Sequence, residues 1–98
     1  NNVNINIFLI LENDFKEIII NDRLIETKTK LDIFREIIAK HNLFPEKTYV
    51  IGDNPNSEIY AGNHLNLKTI QLLRENIEKG NNAKYYINSF EELKNIIY

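Results

Sequence analysis

Residues 48–58 read TYVIGDNPNSE, and this stretch decides the fold. Its first four residues are β-branched or aromatic, which indicates a buried strand. Gly52 and Asp53 end the apolar run, and a short polar residue followed by Pro55 is typical of a helix N-terminus with proline at the first helical position. The stretch therefore predicts a strand, a tight loop and a helix in succession, with Gly52 allowing a sharp turn of the backbone.

The loop of this strand–helix unit is followed closely by a second acid. In open α/β sheets ligands bind at the carboxyl ends of strands, so Asp53 is expected to project into the crevice and Glu58 to follow one helical turn later. Two carboxylates held there form a hard oxygen site of the kind that Mg²⁺ prefers, with water and a substrate phosphate as the remaining ligands. The same residues also fit a structural role, because Asp after Gly is common in turns and Glu in a first helical turn complements the helix dipole. The spacing alone leaves both interpretations open.

Strand and helix patterns alternate on both sides of this unit. Apolar and β-branched runs predict further strands over residues 3–11, 15–20, 68–73 and 85–87. Thr29 is expected to cap a helix that ends near Asn42, and Ser89 with Glu92 is a capping box that opens a last helix. The alternation predicts an α/β architecture with a largely parallel sheet, in a single unit over residues 1–98.

The composition excludes several classes of function. The 98 residues contain 12 Lys and Arg against 14 Asp and Glu, a net charge of -2, and no basic block, which argues against nucleic acid as a partner. The absence of cysteine excludes disulfides, thiolate catalysis and zinc–thiolate sites, and it suits a reducing compartment, so a cytoplasmic location is expected. The apolar runs are far shorter than the roughly 20 residues of a membrane helix, so no membrane partner is expected.

Several linked motifs together resemble one known family. Residues 51–63 read IGDNPNSEIYAGN, and residues 28–34 read KTKLDIF, with a lysine six residues before a phenylalanine. They look like the fourth and third motifs of the haloacid dehalogenase (HAD) superfamily of hydrolases. Residues 67–74, LKTIQLLR, and 83–93, AKYYINSFEEL, resemble the closing strands and the final helix. The resemblance covers nearly the whole chain and implies a three-layer, Rossmann-like core with a mostly parallel sheet.

The resemblance also implies a role for the matching charged residues. Asp53 would bind Mg²⁺, and Glu58 would act as a direct or water-mediated second carboxylate. Lys28, with Lys30 as the alternative, would hold the nucleophilic aspartate and neutralise charge on the transferring phosphoryl group. Without the resemblance, an isolated lysine before a helix is usually a solvated surface residue.

The loop residues Gly52, Asn54 and Ser57 would contact the ligand, although Asn54 and Ser57 also fit helix capping. The chain departs from the family's pattern at two nearby positions. Glu58 replaces the usual Asp, so its longer side chain would reach the metal differently. Asn66 stands where a glycine often closes the helix, and asparagine tolerates the left-handed conformation needed there.

The nucleophile motif is the most important departure. In the family an aspartate at the end of the first strand attacks phosphorus, and a second aspartate two residues on acts as general acid and base. No Asp-x-Asp occurs among the 98 residues. We therefore expect the C-terminal portion of a HAD-like core, without the first two core strands or a cap domain, which is inactive alone and has the missing N-terminal segment of the same protein as its partner. Alternatively, residues 3–11 insert as a substitute strand, where the family would have a helix.

The resemblance favours a Mg²⁺-dependent phosphatase that acts on small phosphorylated metabolites through an aspartyl-phosphate. Phosphatase is chosen over dehalogenase or other HAD chemistry because it is the commonest outcome in the superfamily. One alternative is a non-catalytic α/β binding or regulatory module that has lost the nucleophile. A second is a structural domain whose acidic loop binds nothing.

Overall fold

A computed structural model describes residues 6–11, 17–21 and 29–97 of the chain. Five strands form one sheet in the order β2-β1-β3-β4-β5. The strands are β1 (Asn6–Leu11), β2 (Glu17–Asn21), β3 (Thr48–Gly52), β4 (Lys68–Leu72) and β5 (Tyr85–Ile87). The helices are α1 (Lys30–His41) and α2 (Glu58–His64), with 3₁₀ helices at Pro45–Lys47 and Phe90–Asn95.

The sheet has a parallel part and an antiparallel part. β3, β4 and β5 are parallel neighbours, and α2 makes the crossover from β3 to β4. The predicted α/β class is therefore confirmed. β1 pairs antiparallel with both β2 and β3, with Phe8 opposite Ile51, so the sheet is mixed. Residues 6–11 form the substitute strand that the sequence left as an alternative to a helix.

Helical segments pack on both faces of the sheet, because successive side chains of a strand point to opposite faces. Val50 of β3 faces α1 and α2, in a cluster with Phe34, Ala61 and Leu67. The neighbouring positions on β3 face the other way and pack against the last 3₁₀ helix. This second cluster consists of Tyr49, Ile51, Ile70, Leu72, Ile87 and Leu93. All five residues of β3 are buried, because the strand lies in the sheet layer between the helical segments on its two faces.

The predicted helix ends are largely confirmed. The Thr29 hydroxyl accepts a hydrogen bond from the Asp32 N–H at 3.1 Å, and Asn42, with φ of 54°, caps the C-terminus of α1. Asn66, just after α2, has φ of 64°, the left-handed conformation that its amide side chain tolerates. The Ser89 capping box is present, but the helix that it opens is a 3₁₀ helix. No helix among the described ranges is both long and apolar enough to cross a bilayer.

The predicted start of α2 is wrong by three residues. The helix begins at Glu58, not at Pro55. The Asn54 Oδ1 accepts the Asn56 N–H at 2.8 Å, as expected of a cap before Pro55. The Asn54 carbonyl, however, accepts the N–H groups of Ser57 and Ile59 and not an α-helical bond four residues on, so residues 55–57 form a turn before the helix. Ser57 occupies the N-cap position, but its side chain accepts no capping hydrogen bond.

Candidate functional site

The two acids predicted from the sequence come together where β3 meets α2. Asp53 follows the last residue of β3 and is 3% exposed, and Glu58 is the first residue of α2 and is 1% exposed. Carboxylates are seldom buried this deeply unless their oxygens are paired with donors or cations. The partners of each oxygen therefore decide what the pair does.

Glu58 holds the loop together. Its Oε2 accepts the backbone N–H groups of Asp53 and Asn54, each at 2.9 Å, and its Oε1 accepts Lys30 Nζ at 2.9 Å. Burial alone would raise the pKa of the Glu58 carboxyl, but the hydrogen bonds from Lys30 and from the Asn54 N–H outweigh it and lower the pKa. Glu58 is therefore ionised at neutral pH. Its three charge-assisted hydrogen bonds hold the Asp53 and Asn54 backbone at one carboxylate oxygen and the Lys30 ammonium at the other.

Asp53 is less well satisfied. Its Oδ2 has no hydrogen-bond partner within the described part of the chain, although Arg74 Nε forms an ion pair with it at 3.1 Å. Burial and the neighbouring Glu58 carboxyl raise the pKa of Asp53 to about 6, against the opposing charge of Arg74. A buried oxygen without a hydrogen-bond donor, beside a second carboxylate, is a position where a cation would restore the lost solvation.

Gly52 is required for space. Its φ is not positive, so the bend that follows β3 does not use the left-handed conformation that favours glycine. A Cβ built at this position would overlap Cγ of Glu58 and lie 2.7 Å from its Cδ and Oε2. The absence of a side chain at Gly52 thus lets the Glu58 carboxylate reach back over the end of β3.

The family comparison agrees with this geometry. A family model described as HAD-hydrolase-like matches residues 27–93, which include Asp53, Glu58 and both candidate lysines. The chain belongs to the HAD-hydrolase-like family. Neither a search of curated proteins nor a search of solved structures gave a match. The membership establishes a HAD-like hydrolase at the level of the superfamily.

The structure places the candidate lysine Lys30 of this HAD-like chain at the site. Lys30, the first residue of α1, contacts Glu58, and its side chain is 17% exposed. Lys28 lies outside the described residues. Asn54 is in the loop and donates its N–H to Glu58, while Ser57 is half-buried at the start of α2.

Sequence reasoning missed two residues of the site. Gln71 of β4 is fully buried and donates its Nε2 to the carbonyls of Asp53 at 3.1 Å and Glu78 at 3.3 Å. Its Oε1 accepts the Gly80 N–H at 3.0 Å. One side chain thus joins the Asp53 loop, residues 53–57, to residues 78–80 after β4. The sequence does contain a sign of this role, because Gln71 is the polar residue in the apolar run Ile70–Leu73, and a buried polar side chain almost always has hydrogen-bond partners. Arg74 was detectable by its position just beyond the carboxyl end of β4.

The residues fit Mg²⁺ as one part of a binding site. No group of three or more His, Cys, Asp or Glu side chains that could hold a metal ion occurs in the ranges that the structure describes. Mg²⁺ keeps several waters and commonly takes only one or two protein carboxylates, with the substrate phosphate completing the coordination. Asp53 suits that pattern, because its buried Oδ2 forms an ion pair with Arg74 but accepts no hydrogen bond within the described residues. Glu58 already accepts three hydrogen bonds, which suits an indirect role in holding the loop.

Proposed function

We propose that this HAD-like chain forms the metal-binding side of a Mg²⁺-dependent phosphatase that acts on small phosphorylated metabolites through an aspartyl-phosphate. The observation that carries the proposal is the buried Asp53 Oδ2 without a hydrogen-bond partner in the described structure, at the carboxyl end of a parallel strand. Family membership supports hydrolase chemistry, and the cysteine-free composition supports a cytoplasmic location.

Each side chain of the site has a separate role in the proposal. Asp53 is the direct ligand, and Mg²⁺ bound there would supply positive charge to the phosphoryl oxygens. Glu58 keeps the loop in a fixed conformation, so that Asp53 does not have to be reoriented when the cation binds. Lys30 is held 2.9 Å from Glu58 and places an ammonium beside the same loop, where it favours negative charge on a transferring phosphoryl group.

The proposed reaction also needs an aspartate nucleophile, which the 98 residues do not provide as Asp-x-Asp. In the proposal it comes from a further segment of the same protein. That segment would sit at the carboxyl end of a neighbouring strand, because the nucleophile and Asp53 have to reach the same phosphoryl group.

The test is hydrolysis of p-nitrophenyl phosphate by the intact protein that contains this chain, with and without Mg²⁺. The Asp53→Asn variant should lose about 100-fold or more in kcat/KM, because removing a metal ligand removes several kcal/mol of charge stabilisation. Asp32→Asn is the matched control, since Asp32 lies exposed on α1 and pairs only with Arg35 in the described structure. An intact protein that has the nucleophile motif but hydrolyses nothing, or an Asp53→Asn variant as active as the control, refutes the proposal.

A second candidate is a non-catalytic binding module, and one observation favours it. β3 has a hydrogen-bonded neighbour on each side, β1 and β4. The resemblance implies that the nucleophile-bearing strand would pair with β3, so it would have to displace β1. Amide exchange and cross-strand NOEs in the intact protein separate the two candidates. A retained pairing of Phe8 with Ile51 favours the binding module, and its replacement by another strand favours the phosphatase.

A further inference from the structure

A polar pocket lies directly beside the Asp53 loop. Its volume is about 270 Å³, and it is lined by residues 54–56 on one side and residues 77–82 on the other. The wall formed by residues 54–56 directly follows Asp53 in the sequence, and the wall formed by residues 77–82 lies between β4 and β5. The pocket therefore adjoins the candidate metal site without including its carboxylates.

The two walls are fixed to each other by hydrogen bonds. Asn82 Nδ2 donates to the Pro55 carbonyl at 3.0 Å, and Asn63 Nδ2 donates to the Asn82 carbonyl at 2.7 Å. Gln71 ties the Asp53 carbonyl to Glu78 and Gly80, as described above. These contacts indicate a pocket that is formed before any ligand binds, which lowers the entropic cost of binding.

The lining favours an uncharged ligand with hydroxyl groups. Four asparagines line it, together with one carboxylate from Glu78 and one ammonium from Lys79, so the two charges balance. A balanced charge gives no preference for a further anionic group. Side-chain amides both donate and accept hydrogen bonds, as hydroxyl groups do, so the two pair in either direction.

We propose that this pocket binds the hydroxyl-bearing part of a sugar or polyol phosphate whose phosphate group lies at Asp53. The inference rests on the proposed phosphatase function and names the class of its substrate. Two observations support it. The pocket adjoins the loop that follows Asp53, and in a phosphate ester a single oxygen separates the phosphorus from the hydroxyl-bearing carbon skeleton. The lining is also rich in side-chain amides.

The test compares two phosphate esters in the intact protein, ribose 5-phosphate and p-nitrophenyl phosphate. Asn81 is exposed and makes no hydrogen bond to any residue that the structure describes, so Asn81→Ala should leave the fold unchanged. The loss of one hydrogen bond to a hydroxyl should lower kcat/KM for ribose 5-phosphate about fivefold and leave p-nitrophenyl phosphate within about twofold. Asn95→Ala, an exposed asparagine outside the pocket, is the control and should change neither ester.

The outcomes separate the pocket from the phosphatase. If p-nitrophenyl phosphate is hydrolysed but Asn81→Ala changes neither ester, or both equally, the pocket proposal is overturned and the phosphatase stands. If neither ester is hydrolysed, the phosphatase fails, and NMR titration with ribose 5-phosphate decides about the pocket. Amide shifts in residues 77–82 that weaken in Asn81→Ala would support sugar binding, and the absence of such shifts would overturn it.

Discussion

Replacing Asp53 by asparagine should stabilise the metal-free protein at neutral pH while it removes the proposed metal ligand. Asp53 is 3% exposed, and burial together with the Glu58 carboxyl raises its pKa from 3.8 to about 6. Asparagine has nearly the same shape and carries no charge, so it imitates the protonated aspartic acid. The variant thus removes the cost of ionising a buried carboxyl beside another carboxylate.

The sign and size follow from the two pKa values. Between pH 3.8 and about 6 the folded protein holds the Asp53 proton and the unfolded chain does not, so stability falls as the pH rises through this window. Above it the cost is complete, and a shift of about 2 units corresponds to about 3 kcal/mol. Asp53→Asn should therefore gain up to about 3 kcal/mol at pH 7.5 and almost nothing below pH 3.8.

Urea unfolding in EDTA at pH 7.5 and at pH 3.5 measures this difference, with Asp32→Asn as the control for loss of an exposed carboxylate. The free energy of unfolding of the control should change little at either pH. An Asp53→Asn variant that is less stable than the natural chain at pH 7.5, or one with the same gain at both pH values, would refute the electrostatic account of the site.

Three further substitutions probe the surroundings of the pair. Lys30→Met leaves Glu58 buried without its cation and should cost about 3 kcal/mol in urea unfolding at pH 7, whereas an unchanged midpoint would show that the ion pair contributes nothing. Gly52→Ala forces a Cβ into Glu58 and should cost about 1–3 kcal/mol, so full stability of this variant would contradict the crowding described here. Arg74→Gln removes a cation that competes for Asp53 and should tighten Mg²⁺ binding about threefold by calorimetry, and weaker binding would instead make Arg74 part of the metal site.

Local patterns were sufficient to predict the strand and the two acids. The β-branched run before Gly52 predicted β3, and the position of Asp53 at a strand end predicted a residue aimed at the sheet edge. The left-handed conformation of Asn66 was also predictable, because only a few residue types adopt it at low cost. These features depend on residues close together in the sequence.

Features that depend on distant contacts were not predictable in the same way. Alternation identifies residues 6–11 as a strand but not its direction, which depends on hydrogen bonds to β2 and β3. The start of α2 was misplaced because the Asn54 carbonyl accepts the Ser57 and Ile59 N–H groups, three and five residues on, which makes residues 55–57 a turn and not the first turn of an α-helix. Spacing also left Lys28 and Lys30 as alternatives, since they lie two positions apart; Lys30 contacts Glu58, and Lys28 lies outside the described residues.

Paramagnetic NMR with Mn²⁺ in place of Mg²⁺ tests most directly whether Asp53 binds a divalent cation. The structure predicts that broadening centres on the amides of residues 52–54 and 58, extends to Lys30, and disappears in Asp53→Asn while it persists in Asp32→Asn. Broadening that centres elsewhere, or that survives in Asp53→Asn, would contradict the assignment of Asp53 as the metal ligand.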